Sequence, residues 1–284
     1  MGKNENRSLR NRLKHGFYRI LVRGSKAMTA ESLERSAIVF SPHQDDETLG
    51  CGGTIIRKIA AGAEVQVVFM TDGHQSHQHL MAPEMLSETR KGEAAAACDV
   101  LGVPESAVTF LDFPDGRLYE HLNEAAARVG EILSRSAASE LYIPYSGEPT
   151  DDHKATHTIV CKALAAPGRA YTVYEYPVWF WHHWPWVTLL QPEIQDRLFV
   201  IKNTIRALFG LRLLFRFRSG VAVAAVRERK SAALSQHKSQ MTRLFNNPAW
   251  LTLHDVSDGE FLNNLFQDYE FFYQYVYQPV KGAR

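Results

Sequence analysis

The chain has 284 residues, 45% of them hydrophobic and 22% charged, the balance of an ordinary soluble globular protein. A formal charge of +1 gives no electrostatic reason to expect a nucleic-acid partner. No run of about 18 uncharged apolar residues exists, so no membrane-spanning helix is expected either.

Residues 1–35 form a basic segment expected to be helical. Leu9, Leu13, Phe17, Ile20 and Leu21 recur at helical spacing among Arg7, Arg10, Arg12, Lys14, Arg19 and Arg23. This lacks the continuous apolar core of a secretory signal, so a cytoplasmic location is expected. Residues 36–284 read as one domain, with a core over 36–180 and an extension over 181–284. Within the core, strands are predicted at 38–41, 65–71, 108–111, 141–144 and 172–176. Helices are predicted at 54–61, 84–101, 120–136 and 153–165, the second stopped by Gly102 and Pro104. Gly50, Gly52 and Gly53 place a loop ahead of the first helix. In the extension, Trp181 to Trp186 is an aromatic loop, 221–226 a last strand and 227–245 a helix. Residues 197–218 are again basic and apolar, with no acid between Asp196 and Glu228. Such helices can touch the inner face of an anionic membrane, or pack on the domain with their Arg in water. Nothing in the sequence indicates an oligomeric state. Cys98 and Cys161 fall in apolar helical patterns and, like Cys51, form no CxxC pair; buried thiols in a reducing compartment are expected.

Alternating strands and helices predict a Rossmann-like α/β fold, mostly parallel, with helices on both faces and a C-terminal α/β extension. In such sheets ligands bind at the carboxyl ends of the strands. Ser41–Glu47, Thr71–His79, Phe113–Gly116, Tyr145–His153 and Glu175–Trp179 all follow predicted strands.

His43 and Asp46 are spaced so that an imidazole and a carboxylate can face one cation. A catalytic zinc site uses three protein ligands and an open position. His153, at another strand end, is the best third ligand. Asp45 would then stand beside a metal-activated water as general base. The competing reading makes Asp45 to Glu47 the acidic start of a helix. Spacing alone leaves both open.

Ser41-Pro42-His43-Gln44-Asp45-Asp46-Glu47 with Gly50, Gly52 and Gly53 resembles the signature of the LmbE-like (PIG-L-like) deacetylases. Thr71-Asp72-Gly73, Arg90 to Ala94 with Leu101-Gly102, Pro114-Asp115-Gly116 and Asp152-His153 continue it in order, over roughly residues 36–180. A weaker echo lies in Lys230–Gln240. The resemblance implies a zinc hydrolase removing an N-acetyl group from an N-acetylglucosamine-type sugar or conjugate, with one zinc per chain. It implies His43, Asp46 and His153 as ligands, Asp45 as base, and Arg90 and Asp115 as substrate contacts. Many members carry a His three residues before the third ligand, where this chain has Thr150. A hydroxyl is a poorer oxyanion partner than an imidazolium. His237 is the preferred substitute and His157 a lesser one. Thr150 also keeps open a non-catalytic carbohydrate-binding or scaffolding protein with the same fold.

His74, His77 and His79 could hold a second metal or cover the crevice, but an exposed polar loop is the plainer expectation. Glu175 and the aromatic residues from Tyr176 to Trp186 fit a sugar subsite or core packing equally well.

Overall fold

Side-chain burial along the central strands alternates between two apolar clusters, so the sheet is covered on both faces. Val39, Val67, Phe69, Tyr142 and Tyr174 enter one cluster. Their neighbours Ile38, Phe40, Val68, Leu141 and Val173 enter the other. This period of two is what a strand buried on both faces requires, and it explains the near-continuous apolar runs in the sequence.

The computed structural model describes residues 2–191 and 193–279, with side chains from Leu9 onward, so the expected side-chain role of Arg7 lies outside the described residues. In chain order the core comprises α1 (Gly2–Gly24), β1 (Lys26–Ala27), α2 (Ala30–Leu33), β2 (Ala37–Ser41), α3 (Asp46–Ala60) and β3 (Val65–Thr71). It continues with α4 (Pro83–Leu101), β4 (Val108–Phe113), α5 (Leu122–Arg135), β5 (Glu140–Pro144), α6 (Asp151–Ala163) and β6 (Tyr171–Tyr176). The remainder adds α7 (Ile194–Arg206), α8 (Leu211–Arg216), β7 (Ser219–Ala222), α9 (Arg227–Leu234), α10 (Lys238–Met241), α11 (Glu260–Leu265) and β8 (Tyr269–Tyr277).

The strands form one sheet in the order β1-β7-β8-β6-β5-β2-β3-β4. From β6 to β4 all pairings are parallel, whereas β8 runs antiparallel to both β6 and β7. The chain leaves β2 toward β3 and β4, then returns to place β5 on the other side of β2. That reversal opens a crevice at the carboxyl ends of β2 and β5.

Three expectations need correction. The first helix begins at Asp46, not near residue 54, and Gly50, Gly52 and Gly53 lie inside it. Those glycines serve close approach instead of a loop. A Cβ at Gly50 would fall 2.3 Å from the Tyr176 ring, and one at Gly53 would fall 2.5 Å from Val223. The strand expected at 221–226 is β7 over Ser219–Ala222, followed by a single 3₁₀ turn at Ala224–Val226. The helix expected at 227–245 breaks after Leu234, where Ser235 to His237 turn the chain into the short α10. Strand β8, passed over in the sequence, carries a strand composition of Tyr, Phe and Val interrupted by one Glu and one Gln. Of the two thiols expected to be buried from their helical patterns, Cys98 is buried and Cys161 only half-buried, a further correction; Cys51 is buried as well.

The C-terminal part reaches the core through buried charge. Glu270 on β8 accepts from the amides of Gly53 and Thr54 and from the Thr54 hydroxyl. Lys230 on α9 donates to Glu270 at 2.8 Å and to the carbonyls of Leu49 and Leu265. This ion pair therefore meets the backbone of α3 at its glycine-rich stretch, where the missing side chains leave room. All its polar atoms find partners, as a buried pair requires.

Candidate metal centre

Helix α3 starts only three residues after His43, and its first turn carries the acids of the motif. Asp45 takes φ 135°, a backbone conformation that L-residues rarely adopt and that costs on the order of 1–3 kcal/mol. Such strain persists where the surroundings hold it. Here the Asp45 amide donates to Glu47 Oε2 at 3.0 Å, and its carboxylate lies 3.6 Å from the Arg90 guanidinium.

Asp46 Oδ2 lies at the centre of the cluster. It stands 3.1 Å from His43 Nδ1 and 3.1 Å from His153 Nε2, and it accepts the His43 amide. His153 is fully buried, yet neither ring nitrogen has a hydrogen bond of proper geometry. Buried polar atoms without partners are costly. Two imidazoles and a carboxylate gathered this way suit a divalent cation of borderline softness such as zinc. Among the described residues, His43, Asp46 and His153 form one such group and His43, Asp115 and Asp152 another.

The second group reads as support for the first. With His43 Nδ1 turned to Asp46, its Nε2 lies 3.2 Å from Asp115 Oδ1 and 3.3 Å from Asp152 Oδ2. Those carboxylates are themselves fixed by the amides of Gln75, Gly116 and Leu118. His153 Nδ1 lies 3.4 Å from Glu148 Oε2, and Glu148 accepts the amides of Val178, Trp179 and Phe180. A carboxylate behind each imidazole is the arrangement that orients histidine ligands and raises their basicity. Glu148 was not singled out by sequence reasoning, and Asp152 entered only as a motif residue with no role of its own. Their only signal is a place in the loop and helix start after β5, since burial and aim cannot be read from spacing.

The same contacts set the charges. Burial alone would lower His43, but the carboxylates of Asp115, Asp152 and Asp46 outweigh it and raise it well above its ordinary value. His153 is likewise depressed by burial and then lifted by Asp46 and Glu148 to about 9. Burial pushes Asp45 up to about 7; Arg90 opposes this and Asp46 adds to it. Asp46 is held well below its usual range by His153 and His43, in spite of burial.

Arg90 on α4 is buried, and it donates to the carbonyls of Gly73 at 3.0 Å and Gln44 at 2.6 Å. Asp115 faces the cluster through His43. His237 is fully buried, with Nε2 3.0 Å from Glu47 Oε1 and Nδ1 without a partner. Burial lowers its pKa, but Glu47 and Asp45 more than offset that. The Thr150 hydroxyl is also buried and unpartnered. His157 turns away to Glu175 at 2.9 Å and to Cys161.

The histidine loop holds no metal group among the described residues. His74 binds Asp72, while His77 is buried, stacks on Trp250 at 4.2 Å and contacts the Leu251 carbonyl. The expectation of a wholly exposed loop therefore fails at His77. Phe180, Trp181 and Trp186 lie in the core, so this part of the aromatic run is packing.

Residues 38–164 match the family model described as PIG-L: GlcNAc-PI de-N-acetylase. A 1D-myo-inositol 2-acetamido-2-deoxy-alpha-D-glucopyranoside deacetylase of Kineococcus radiotolerans is 29% identical over 164 residues, covering 46% of this chain and 45% of its own. The chain spans about half the length of the curated relatives it matches. Among solved structures, N,N'-diacetylchitobiose deacetylase from Pyrococcus horikoshii superposes with a TM-score of 0.61 at 17% identity, covering 85% of this chain and 84% of that one. GalB, the 4-carboxy-2-hydroxymuconate hydratase from Pseudomonas putida KT2440, superposes with a TM-score of 0.55 at 17% identity, covering 88% of this chain and 99% of that one. At these identities the likeness establishes the fold, and the hydratase shows that this fold also carries other chemistry.

Proposed function

We propose that this chain hydrolyses the N-acetyl group of an N-acetylglucosamine-type sugar or conjugate, using one zinc ion held by His43, Asp46 and His153. The observation that carries this reading is the pair of buried, unpartnered His153 nitrogens beside an Asp46 oxygen shared with His43. The substrate class follows the deacetylase names of the relatives. A cation at this position supplies Lewis-acid charge that eases deprotonation of water and polarises an acetyl carbonyl.

The chain's own residues do the rest. Asp45, adjacent to the ligand Asp46 and held by Arg90 and the Glu47 carboxylate, takes the proton from the attacking water. As the C–N bond breaks, the same carboxyl returns the proton to the leaving amine, so the products are acetate and a free amino sugar. Arg90 keeps Asp45 in place through its contacts to Gln44, Gly73 and the carboxylate itself. Asp115 and Asp152 orient His43, and Glu148 orients His153. Asp115 also borders the space where substrate would enter. His237 holds Glu47, and Glu47 accepts the Asp45 amide; in this reading His237 also serves the developing oxyanion in place of the histidine that many family members carry where this chain has Thr150.

Acetate release from N-acetylglucosamine derivatives and N,N'-diacetylchitobiose tests this, with zinc-loaded protein before and after chelation. Release that chelation stops and zinc restores is expected. Sugar binding with no acetate from any substrate would establish the carbohydrate-binding alternative instead.

A further inference from the structure

Helix α7 is built the wrong way round for a helix packed on a soluble domain. Its buried positions are Val200, Asn203 and Thr204. Asn203 donates to the His182 carbonyl, and the Thr204 hydroxyl accepts the Trp184 amide, so polar contacts tie the helix down. The large aliphatic side chains point outward instead. Ile194 is 68% exposed, Leu198 50%, Ile201 38% and Ile205 60%, at the i, i+4, i+7, i+11 spacing of one helical stripe. The stripe continues through Phe209 at 58% and Phe215 at 73%, across the turn into α8. Arg197, Lys202, Arg206, Arg212, Arg216 and Arg218 accompany it, with no acid between Asp196 and Glu228. Helix α1 packs against α8 and carries exposed Leu9, Leu13 and Ile20 beside Arg12, Arg19 and Arg23.

No helix among the described residues is long and apolar enough to cross a membrane. An outward apolar stripe edged by cations suits a surface that is apolar just beneath a layer of negative charge. A second copy of the chain fits poorly. Two-fold pairing through this stripe would set its six cations against the same six, with no acid between them to compensate. We propose that the α7–α8 face is a docking surface for an anionic phospholipid bilayer, lying in the headgroup layer with Ile194, Leu198, Ile201, Ile205 and Phe215 in the acyl boundary. Docking would also hold the crevice at a set distance from the bilayer, because Phe217 after α8 packs on Tyr145 and Phe180 beside the Glu148 loop.

Co-sedimentation of the full chain with vesicles tests this without reference to catalysis. Vesicles of equal parts phosphatidylcholine and phosphatidylserine should bind the chain, and phosphatidylcholine alone should not. Leu198→Ser with Ile205→Ser and Phe215→Ser should lower the partition by about tenfold or more. Lys202→Glu with Arg206→Glu should lower it by about tenfold and reduce its salt dependence. All five positions are exposed, so both variants should melt as the parent does. The proposal is overturned if the parent ignores both vesicles, or if both variants bind like the parent. It is equally overturned if the chain is a dimer that Phe215→Ser converts to monomer while no form sediments.

Discussion

The stretch from β2 to α6 and the stretch from α7 to β8 contribute to the site in different ways. The first supplies every residue gathered around Asp46: His43, Asp115, Glu148, Asp152 and His153. The second supplies no member of that group, yet its buried polar residues hold the first in place. Glu270 and Lys230 bind the backbone of α3, His237 binds Glu47, and Ser239 donates twice to Glu93 on α4. A site and its support can thus come from separate stretches, with chemistry at strand ends and rigidity from charges buried behind them.

The largest effect that separates the two roles should come from Asp45→Asn. Acetate release should fall by about 10²- to 10⁴-fold while bound zinc, measured by atomic absorption, stays at the parent level. Loss of zinc together with activity would place Asp45 among the ligands and move the base elsewhere.

In the supporting stretch, Lys230→Met should destabilise the fold by about 3–5 kcal/mol, read from urea denaturation, because it strands a buried Glu270. Adding Glu270→Leu should recover only part of this, since the amides of Gly53 and Thr54 then lose their acceptor. A loss under about 1 kcal/mol in the single variant would mean that water reaches the pair.

Glu148→Gln touches neither Asp46 nor Asp45, and should weaken zinc affinity by about 10- to 100-fold in competition with a chelator. Unchanged affinity would show that His153 needs no carboxylate behind it.

The smallest effect concerns His182 and His183. Burial holds both down to about 4, so they are neutral in the folded chain at pH 7. In the unfolded chain imidazoles titrate near 6.5. Between those values the unfolded state binds more protons, so stability should fall as pH drops from about 6.5 toward 4. His182→Asn should flatten that slope in thermal melts at several pH values. A slope equal to the parent's would assign the acid sensitivity to other groups.

Much of the core was legible because its signals are local. Strands β2, β3, β5 and β6 appear in the sequence as β-branched and aromatic runs within a residue or two of their true ends. His43, Asp46 and His153 could be brought together on paper because all three follow such runs, and parallel strands carry their carboxyl ends to one edge. The glycines of α3 misled for a physical reason: a loop and a closely packed helix both favour glycine, and only the nearby Tyr176 and Val223 distinguish them.

By itself the sequence determined the layered α/β class, the order of the central elements and the two ends of the candidate metal group. Tertiary structure alone decided which polar residues became buried partners: Glu148 behind His153, Glu47 against His237, Glu270 against α3. It also decided that the aliphatic side of α7 faces out. The Glu47–His237 and Glu270–α3 pairings join residues 190 and 217 apart in the chain, and no periodicity within one element encodes such a meeting. The Pro42–Glu47 segment declares its chemistry locally, whereas its support exists only once the chain has closed around it.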